Sequence, residues 1–574
     1  MRPILKTKRK LSLSVNLAIA SLFLIGAISF VLSCIYSKID KKIVVLSFDS
    51  SINTPHVSIS GGFYSSPVEI QLSCDKKYAV FYTLDGSQPT LESNRYSTSF
   101  FIKNRTSEEN NLSNIPSSPR WKPPIGNVSK ANVLRAICVN SNDKKGEELV
   151  QTYFIGLTYT FPVVALTINE ADFFGYKNGI YVMGKNYEDK RDYIRKNLPL
   201  NLNWWEYPSN YLKRGDNSER VAHIELYDNT GKLGFENRVG VRINGNATRG
   251  FAQKSLRICF DGKYGEAKLN YELYGKSYTN NFNSFVLRNS GNDWNKTMFR
   301  DAFMQSLMKN YLDIQMCQPS ILFINGEYWG IHNITERLDE NYLSNKYKMS
   351  LDSITILELG GEVFFGKKHD KENFKELLTY IQANDLSMLQ YYQHVEGKID
   401  VNSFMDFIIA NVYFCNSDWP NNNVKYWRYK ASVQDTALGG VRDGRWRWML
   451  FDTDWGFGYT GSESINLNLL EKAKKTGSIG IIFSGLLKNE SFRKKFNDRF
   501  LFHLEHTFEK KEVIQKINDF QASYSSEISQ HIDRWRAIGS FESWVENVED
   551  LRQFALKRPD IQKEQLKSFL NNTK

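Results

Sequence analysis

Residues 416–423 read NSDWPNNN and residues 446–458 read WRWMLFDTDWGFG. The first stretch follows an apolar run, FIIANVYFC at 407–415, and sets an acid, Asp418, five residues ahead of an amide, Asn423. The second is an apolar strand that delivers Asp452 and Asp454 into a turn carrying glycine. Acids flanked by Trp, Phe and apolar strand residues need a reason to be there, because burying an unpaired carboxylate is expensive. Two acids at i and i+2 on an extended chain share a face, so either Asp452 or Asp454, or both, could ligate a cation. Carboxylate and amide oxygens are the hard donors that a divalent cation takes, and Asn422 is the alternative to Asn423 as the amide.

Working outward, RINGNATRG (242–250) is a glycine-bearing turn between two strand-like runs, NRVGVRING (237–245) and KSLRICF (254–260). Backbone donors at Gly245 and Gly250 could cradle a phosphate, and Lys254, opening the second run, could pair with its oxygens. Such an ammonium wants an acid to hold it, for which Glu336 in NGEYWGIHNITERLDENYL (325–343) is the candidate. An ordinary hairpin is the plainer reading of the turn. An acid five residues before a metal-binding amide, followed by a second acid before glycine, is the order found in phosphoryl-transfer sites that use ATP with Mg²⁺ or Mn²⁺.

The chain has 574 residues with 41% hydrophobic and 14% aromatic content, which excludes a disordered or fibrous protein. Its formal charge is +11, but Arg2, Lys6, Lys8, Arg9 and Lys10 supply five of these, leaving +6 for the rest. No Lys/Arg stripe interleaved with aromatics appears, so nucleic acid is not an expected partner. Leu11–Ser37 is uncharged over 27 residues, long enough as a helix to cross a bilayer. With the basic flank held inside, everything after Lys38 faces outward on the membrane. Residues 1–37 are then a signal anchor, or a lipoprotein signal ending at Val31-Leu32-Ser33-Cys34 with Cys34 acylated. An exported location permits a Cys74–Cys138 disulfide; two buried thiols are the alternative.

Residues 57–158 break into short alternating runs such as VEIQLSC (68–74), YAVFYTLDG (78–86) and ANVLRAICV (131–139), separated by turn residues. GGFYSSPVEIQLS, YTLDGSQPT and TYFIG resemble the β-sandwich module at the C-terminus of chitobiases and hexosaminidases, in which the Asp85 stretch is a structural turn. Residues 161–574 form a larger mixed unit. Strand patterning in HIELYD (223–228) and SFVLRNS (284–290) gives way to helical periodicity in MFRDAFMQSLMKNYL (298–312) and through most of the last hundred residues. His503 and His506 there are three apart, without the further ligands a metal site would need.

RNSGNDWNKTMFRDAF, LFINGEYWGIHNITERLDENYL, NSDWPNNNVKYWR and WRWMLFDTDWGFG together resemble the CotH family of atypical kinases. The resemblance implies an α+β fold distantly like that of protein kinases, preceded by the all-β sandwich and the membrane segment. It implies ATP- and metal-dependent phosphorylation of Ser or Thr in a protein substrate. It also implies Asp418 as the catalytic acid, Asn423 or Asn422 and Asp452 or Asp454 as metal ligands, and Lys254 at the nucleotide. Arg288, Asp293, Arg300 and Asp301 match further polar positions, as a structural Arg–Asp network or as substrate contacts. KASVQDTALGGVRDG (430–444) reads as an inserted hairpin tip. A non-catalytic surface protein that binds carbohydrate or another cell is the competing reading, with NWWEY (203–207) as its aromatic platform.

Overall fold

The computed structural model describes residues 46–197, 203–276, 278–430 and 440–573. The expected membrane segment, Cys34 and most of the 430–444 tip lie outside these residues. Among the described residues no helix is long and apolar enough to cross a membrane.

The N-terminal region is β-rich. Strands β1 (Val68–Ile70), β2 (Ala79–Thr83), β3 (Phe100–Ile102), β4 (Asn132–Val139) and β5 (Leu149–Ile155) carry its core. β4 is central, pairing antiparallel with β2 and β5; β1 pairs separately with β3. Ile70 and Ile102 from the β1–β3 pair meet Val80, Leu134, Ala136, Tyr153 and Ile155 from the larger sheet. Cys74 and Cys138 are joined, with Cα atoms 6.4 Å apart, which ties the turn after β1 to β4 across a 64-residue separation. Of the two sequence-level alternatives, the disulfide is the one formed.

Seven of the strands that follow close a barrel. They are β6 (Val163–Ile168), β7 (Arg220–Tyr227), β8 (Leu233–Asn244), β9 (Ser255–Cys259), β10 (Ser284–Arg288), β11 (Cys317–Ile324) and β12 (Glu327–Thr335). The chain runs antiparallel from β6 to β10, β12 pairs with β10 and β11, and β11 closes the ring by parallel pairing of 321–324 with 163–166 of β6. Period-two alternation sorts each strand. Val164, Leu166, Ile224, Leu226, Val239, Val241, Leu256, Ile258, Phe285 and Leu287 fill the interior, and the residues between them face outward. Helix α1 (Arg300–Leu307) follows β10.

A five-stranded sheet lies beyond the barrel, ordered Asp313–Ile314, β16 (Arg447–Leu450), β15 (Lys425–Tyr429), β13 (Ile354–Glu358) and β14 (Glu362–Phe365). Helix α2 (Val401–Tyr413) packs against it and is buried from Phe404 onward. Two further helices matter for the site: α3 (Leu469–Lys475) and the 31-residue α4 (Phe541–Asn571). Arg558 of α4, itself buried, donates to the carbonyls of Val412 (2.8 Å) and Tyr413 (3.2 Å) at the end of α2 and to that of Ile465 (2.6 Å). His503 is buried and hydrogen-bonded to Asp406 of α2 and to Thr507, whereas His506 is exposed. His503 is thus a core residue that anchors α2.

Crosslinking a loop of this length constrains the unfolded chain by about 4 kcal/mol. The double variant Cys74→Ser, Cys138→Ser is expected to lower the stability of the β-rich region by about 2–4 kcal/mol, read from its urea midpoint. Reductant should reproduce the loss in the parent protein, and an unshifted midpoint would contradict this role.

Candidate functional site

Alternation along β10 sends Phe285 and Leu287 inward and leaves Arg288 on the outer face at the strand's end. There Arg288 Nη2 lies 2.6 Å from Asp452 Oδ1, 3.3 Å from Asp454 Oδ2 and 3.3 Å from Asp301 Oδ2. Burial opposes the charge of Arg288, but Asp452, Asp301 and Asp454 outweigh it and hold the guanidinium above its usual value. Asp301 comes from α1. Its Oδ1 accepts from the backbone N–H and hydroxyl of Thr453, both at 2.8 Å, and from Gln305 Nε2 at 3.0 Å. One guanidinium and one helix carboxylate therefore clamp the 452–454 turn between them.

Burial separates the two acids that the sequence left equivalent. The Asp454 side chain is 1% exposed and that of Asp452 is 38% exposed. Asp454 accepts from Asn292 through both the backbone N–H (2.8 Å) and Nδ2 (3.2 Å). Gly291 precedes Asn292 at φ +62°, and a Cβ there would stand 2.1 Å from Asp454 Oδ2, so the turn closes over this carboxylate only with glycine. Burial and the neighbouring Asp452 push the Asp454 carboxyl well up, with Arg288 opposing. Asp454 is an anchoring acid, and Asp452 is the one open to a ligand.

Asp418 sits in the loop that leaves α2. Its Oδ1 accepts from Asn422 Nδ2 (2.7 Å) and its Oδ2 from Asn423 Nδ2 (3.0 Å); the same Asn423 nitrogen reaches the carbonyl of Asp452 at 3.2 Å. Asn423 and Asp452 both adopt left-handed backbone, at φ +58° and +52°, which Asn and Asp tolerate better than other non-glycine residues. Lys472 of α3 donates to the carbonyls of Ser417 (2.9 Å) and Trp419 (2.8 Å), bracing the loop on either side of Asp418. Asp418, Asn422, Asn423, Asp452 and Asp454 are thus brought together.

Lys254 and Glu336 are not. Lys254 shares the inward parity of Leu256 and Ile258 and is fully buried, its Nζ donating to the carbonyls of Arg249 (2.8 Å) and Phe251 (2.6 Å) and lying 4.1 Å from the Tyr211 ring. Burial, then Arg249, lowers its pKa well below the ordinary lysine value. It supports the glycine turn from beneath. Glu336 is buried elsewhere and accepts from the Tyr278 hydroxyl at 2.6 Å. The cation that meets the acids is Arg288, held by Asp452 at 2.6 Å and, from α1, by Asp301 at 3.3 Å. Its signal in the sequence is the alternation in SFVLR, which puts Arg288 outside the barrel.

Gly245 and Gly250 bound the turn as expected. Gly245 sits at φ +105°, and a Cβ would meet Thr248 Oγ1; a Cβ on Gly250 would stand 2.7 Å from Trp205. Arg249 reaches back to the Gly245 carbonyl at 2.7 Å. Trp204 stacks on Phe251, with centroids 5.6 Å apart, and lies under the Arg120 guanidinium. The 203–207 aromatics thus pack over the glycine turn. Asp293 and Arg300 form a buried pair at 2.9 Å, with Arg300 also donating to the carbonyls of Gly456 and Phe457. That half of the polar set is structural.

The family model described as CotH kinase protein matches residues 241–561, more than half of the chain. The model for the chitobiase/beta-hexosaminidase C-terminal domain matches residues 59–151. No curated protein matches the sequence.

Burial raises the Glu336 carboxyl from 4.5 to about 8, against the hydrogen bond from Tyr278. Between those values the unfolded chain releases the proton and the folded chain keeps it. Stability therefore falls as pH rises through this window, by up to about 1.4 kcal/mol per pH unit, with no contribution to the slope below it. Glu336→Gln keeps an acceptor for Tyr278 and cannot ionise. It is expected to shrink the difference between urea midpoints at pH 5 and pH 8, and an unchanged difference would refute the assignment.

Proposed function

Because this chain belongs to the CotH kinase protein family, we propose that it is an ATP- and metal-dependent atypical protein kinase that phosphorylates Ser or Thr, on a distant version of the kinase fold. The observation that carries this reading is the convergence of Arg288, Asp301, Asp452, Asn423 and Asp418 from a barrel strand, a helix and two loops. A strand cation held by a helix acid, beside a metal-binding acid, is the arrangement protein kinases use for phosphoryl transfer. Here the strand cation is an arginine, whose planar fork can address two phosphate oxygens at once.

The donor set fits a divalent cation such as Mg²⁺ or Mn²⁺. Asp452 offers a partly exposed carboxylate, and Asn423, with its nitrogen donating to Asp418 and to the Asp452 carbonyl, is left with its amide oxygen to ligate. Held there by Asp452 and Asn423, such an ion would supply positive charge to offset that of the phosphate oxygens. Asp418 then orients the acceptor hydroxyl and takes its proton. Asn422 and Asn423 hold the two oxygens of that carboxylate, and Lys472 fixes the backbone around it. The Gly245–Gly250 turn covers the phosphates, while Asp454 stays buried as the anchor of the 452–454 turn. In this reading the Leu11–Ser37 segment holds the enzyme on the outer side of the membrane.

The test is transfer from labelled ATP to a protein acceptor by the full chain with Mg²⁺ or Mn²⁺. Asp418→Asn is expected to lower the rate about 10²–10⁴-fold, and Asp452→Asn to abolish the response to metal, with both variants folded by circular dichroism. Equal labelling by parent and variants would overturn the proposal.

A further inference from the structure

The outer face of the barrel carries a second group of ligand-type side chains, on the side turned to the β-rich region. His223 and Glu225 of β7 and Glu236 of β8 each present one ligand atom within 4.8 Å of the others, the one such group of three His, Cys, Asp or Glu residues among the described residues. Glu225 and Glu236 are directly opposite across the β7–β8 pair. Like charges so placed repel one another. The nearby cations are engaged elsewhere: Arg135 makes a two-point pair with Glu148, at 2.6 and 2.9 Å, and Arg238 lies 3.9 Å from Glu147.

His223 Nε2 is buried without a hydrogen-bond partner and lies 3.8 Å from Glu236 Oε2. A second, separate orphan lies beside it. Thr167 faces His223 across the β6–β7 pair, is 4% exposed, and its hydroxyl has no partner. Both residues line a cleft of about 520 Å³ between the β-rich region and the barrel. Buried polar groups without partners call for an explanation, and here two of them sit next to a pair of carboxylates that no cation neutralises.

We infer that His223 Nε2 and one carboxylate oxygen each from Glu225 and Glu236 bind a first-row divalent transition-metal ion, such as Zn²⁺, on the outer face of the barrel where it meets the β-rich region. One imidazole and two carboxylates are a suitable set for such an ion. Donors about 2.0–2.1 Å from a tetrahedral ion stand roughly 3.3 Å apart, so ligand atoms that now lie within 4.8 Å of one another draw together by up to about 1.5 Å when the ion binds. The supporting shell is already built. Glu225 accepts from the backbone N–H and hydroxyl of Thr152 in β5 and from the Tyr227 hydroxyl. A ligating carboxylate held in this way is oriented before the ion arrives, and Thr152 links it to the β-rich region. His223 and Thr167 both line the cleft. This ion is distinct from the one proposed at Asp452.

The test is equilibrium dialysis of the full chain against Zn²⁺, with bound metal counted by mass spectrometry. Glu236→Gln and His223→Gln are each expected to lose one equivalent, or to weaken its binding by about tenfold or more, while Asp452→Asn retains it. Zn²⁺ should also raise the melting temperature of the parent but not of Glu236→Gln. If His223→Gln fails to fold, Glu236→Gln, whose side chain is exposed, decides the matter. Equal zinc content in the parent and Glu236→Gln would overturn the inference. So would the absence of bound zinc in the parent, which would leave the two carboxylates sharing a proton.

Discussion

One guanidinium holds the halves of the larger unit in register. Arg288 leaves the barrel at the end of β10 and meets a carboxylate from α1 and two from the loop after β16. Remove it, and three acids face one another around a mostly buried point. Removing one partner of a buried pair typically costs about 3–5 kcal/mol, because the remaining charge is left uncompensated. The cluster is therefore a constraint before it is a site. Arg288 fixes the end of β10 against α1 and the 452–454 turn, beside the apolar core that the barrel's outer face shares with the helices. Its charge is favoured because three acids outweigh the burial penalty.

The loop bearing Asp418 depends on a second set of buried polar contacts, placed one layer further from solvent. Arg558 closes the carbonyl end of α2, and Asp406 within α2 accepts from Arg499 and pairs with His503. Those contacts fix where α2 stops and hence where the 416–423 loop begins. Lys472 then ties the loop's own carbonyls from α3. Arg558 and Lys472 both donate to backbone carbonyls, of Val412 and Tyr413 and of Ser417 and Trp419. The helical C-terminal part of the chain thus acts on the site mainly by ending α2 in one place.

The acids and amides were legible in the sequence because each lies beside an unusually apolar segment. FIIANVYFC and WRWMLF leave Asp418 and Asp452 as the polar residues that need an account. The disulfide was legible as one of two options, since compartment and strand pattern allowed either. Lys254 does not reach the acids. The order of glycine turn, strand and lysine pointed to Lys254, but alternation counts Lys254 with Leu256 and Ile258, which fill the barrel. The same count puts Arg288 outside with Val286. That parity was present in the sequence; what was missing was the strand order, set by a parallel closure between 163–166 and 321–324 that no local pattern reveals. Asp452 and Asp454 could not be told apart because the i, i+2 relation holds only in a straight strand. The left-handed backbone at Asp452 turns one acid to solvent and buries the other.

The barrel's outer parity is used twice, on different strands. On β10 it carries Arg288 to the cleft with the helices; on β7 it carries His223, Glu225 and Tyr227 toward the β-rich region. Glu225 is the deeper of the two β7–β8 carboxylates, and its hydrogen bonds come from Thr152 of β5 and from Tyr227. A closed barrel has no free edge through which one face could yield without the other. Contacts on β7 therefore bear on a rigid body whose β10 strand positions Arg288. The β-rich region has no residue in the Arg288 cluster, yet it grips the same ring of strands. On that geometry its part is to restrain the barrel from behind while the helices close on it from the front.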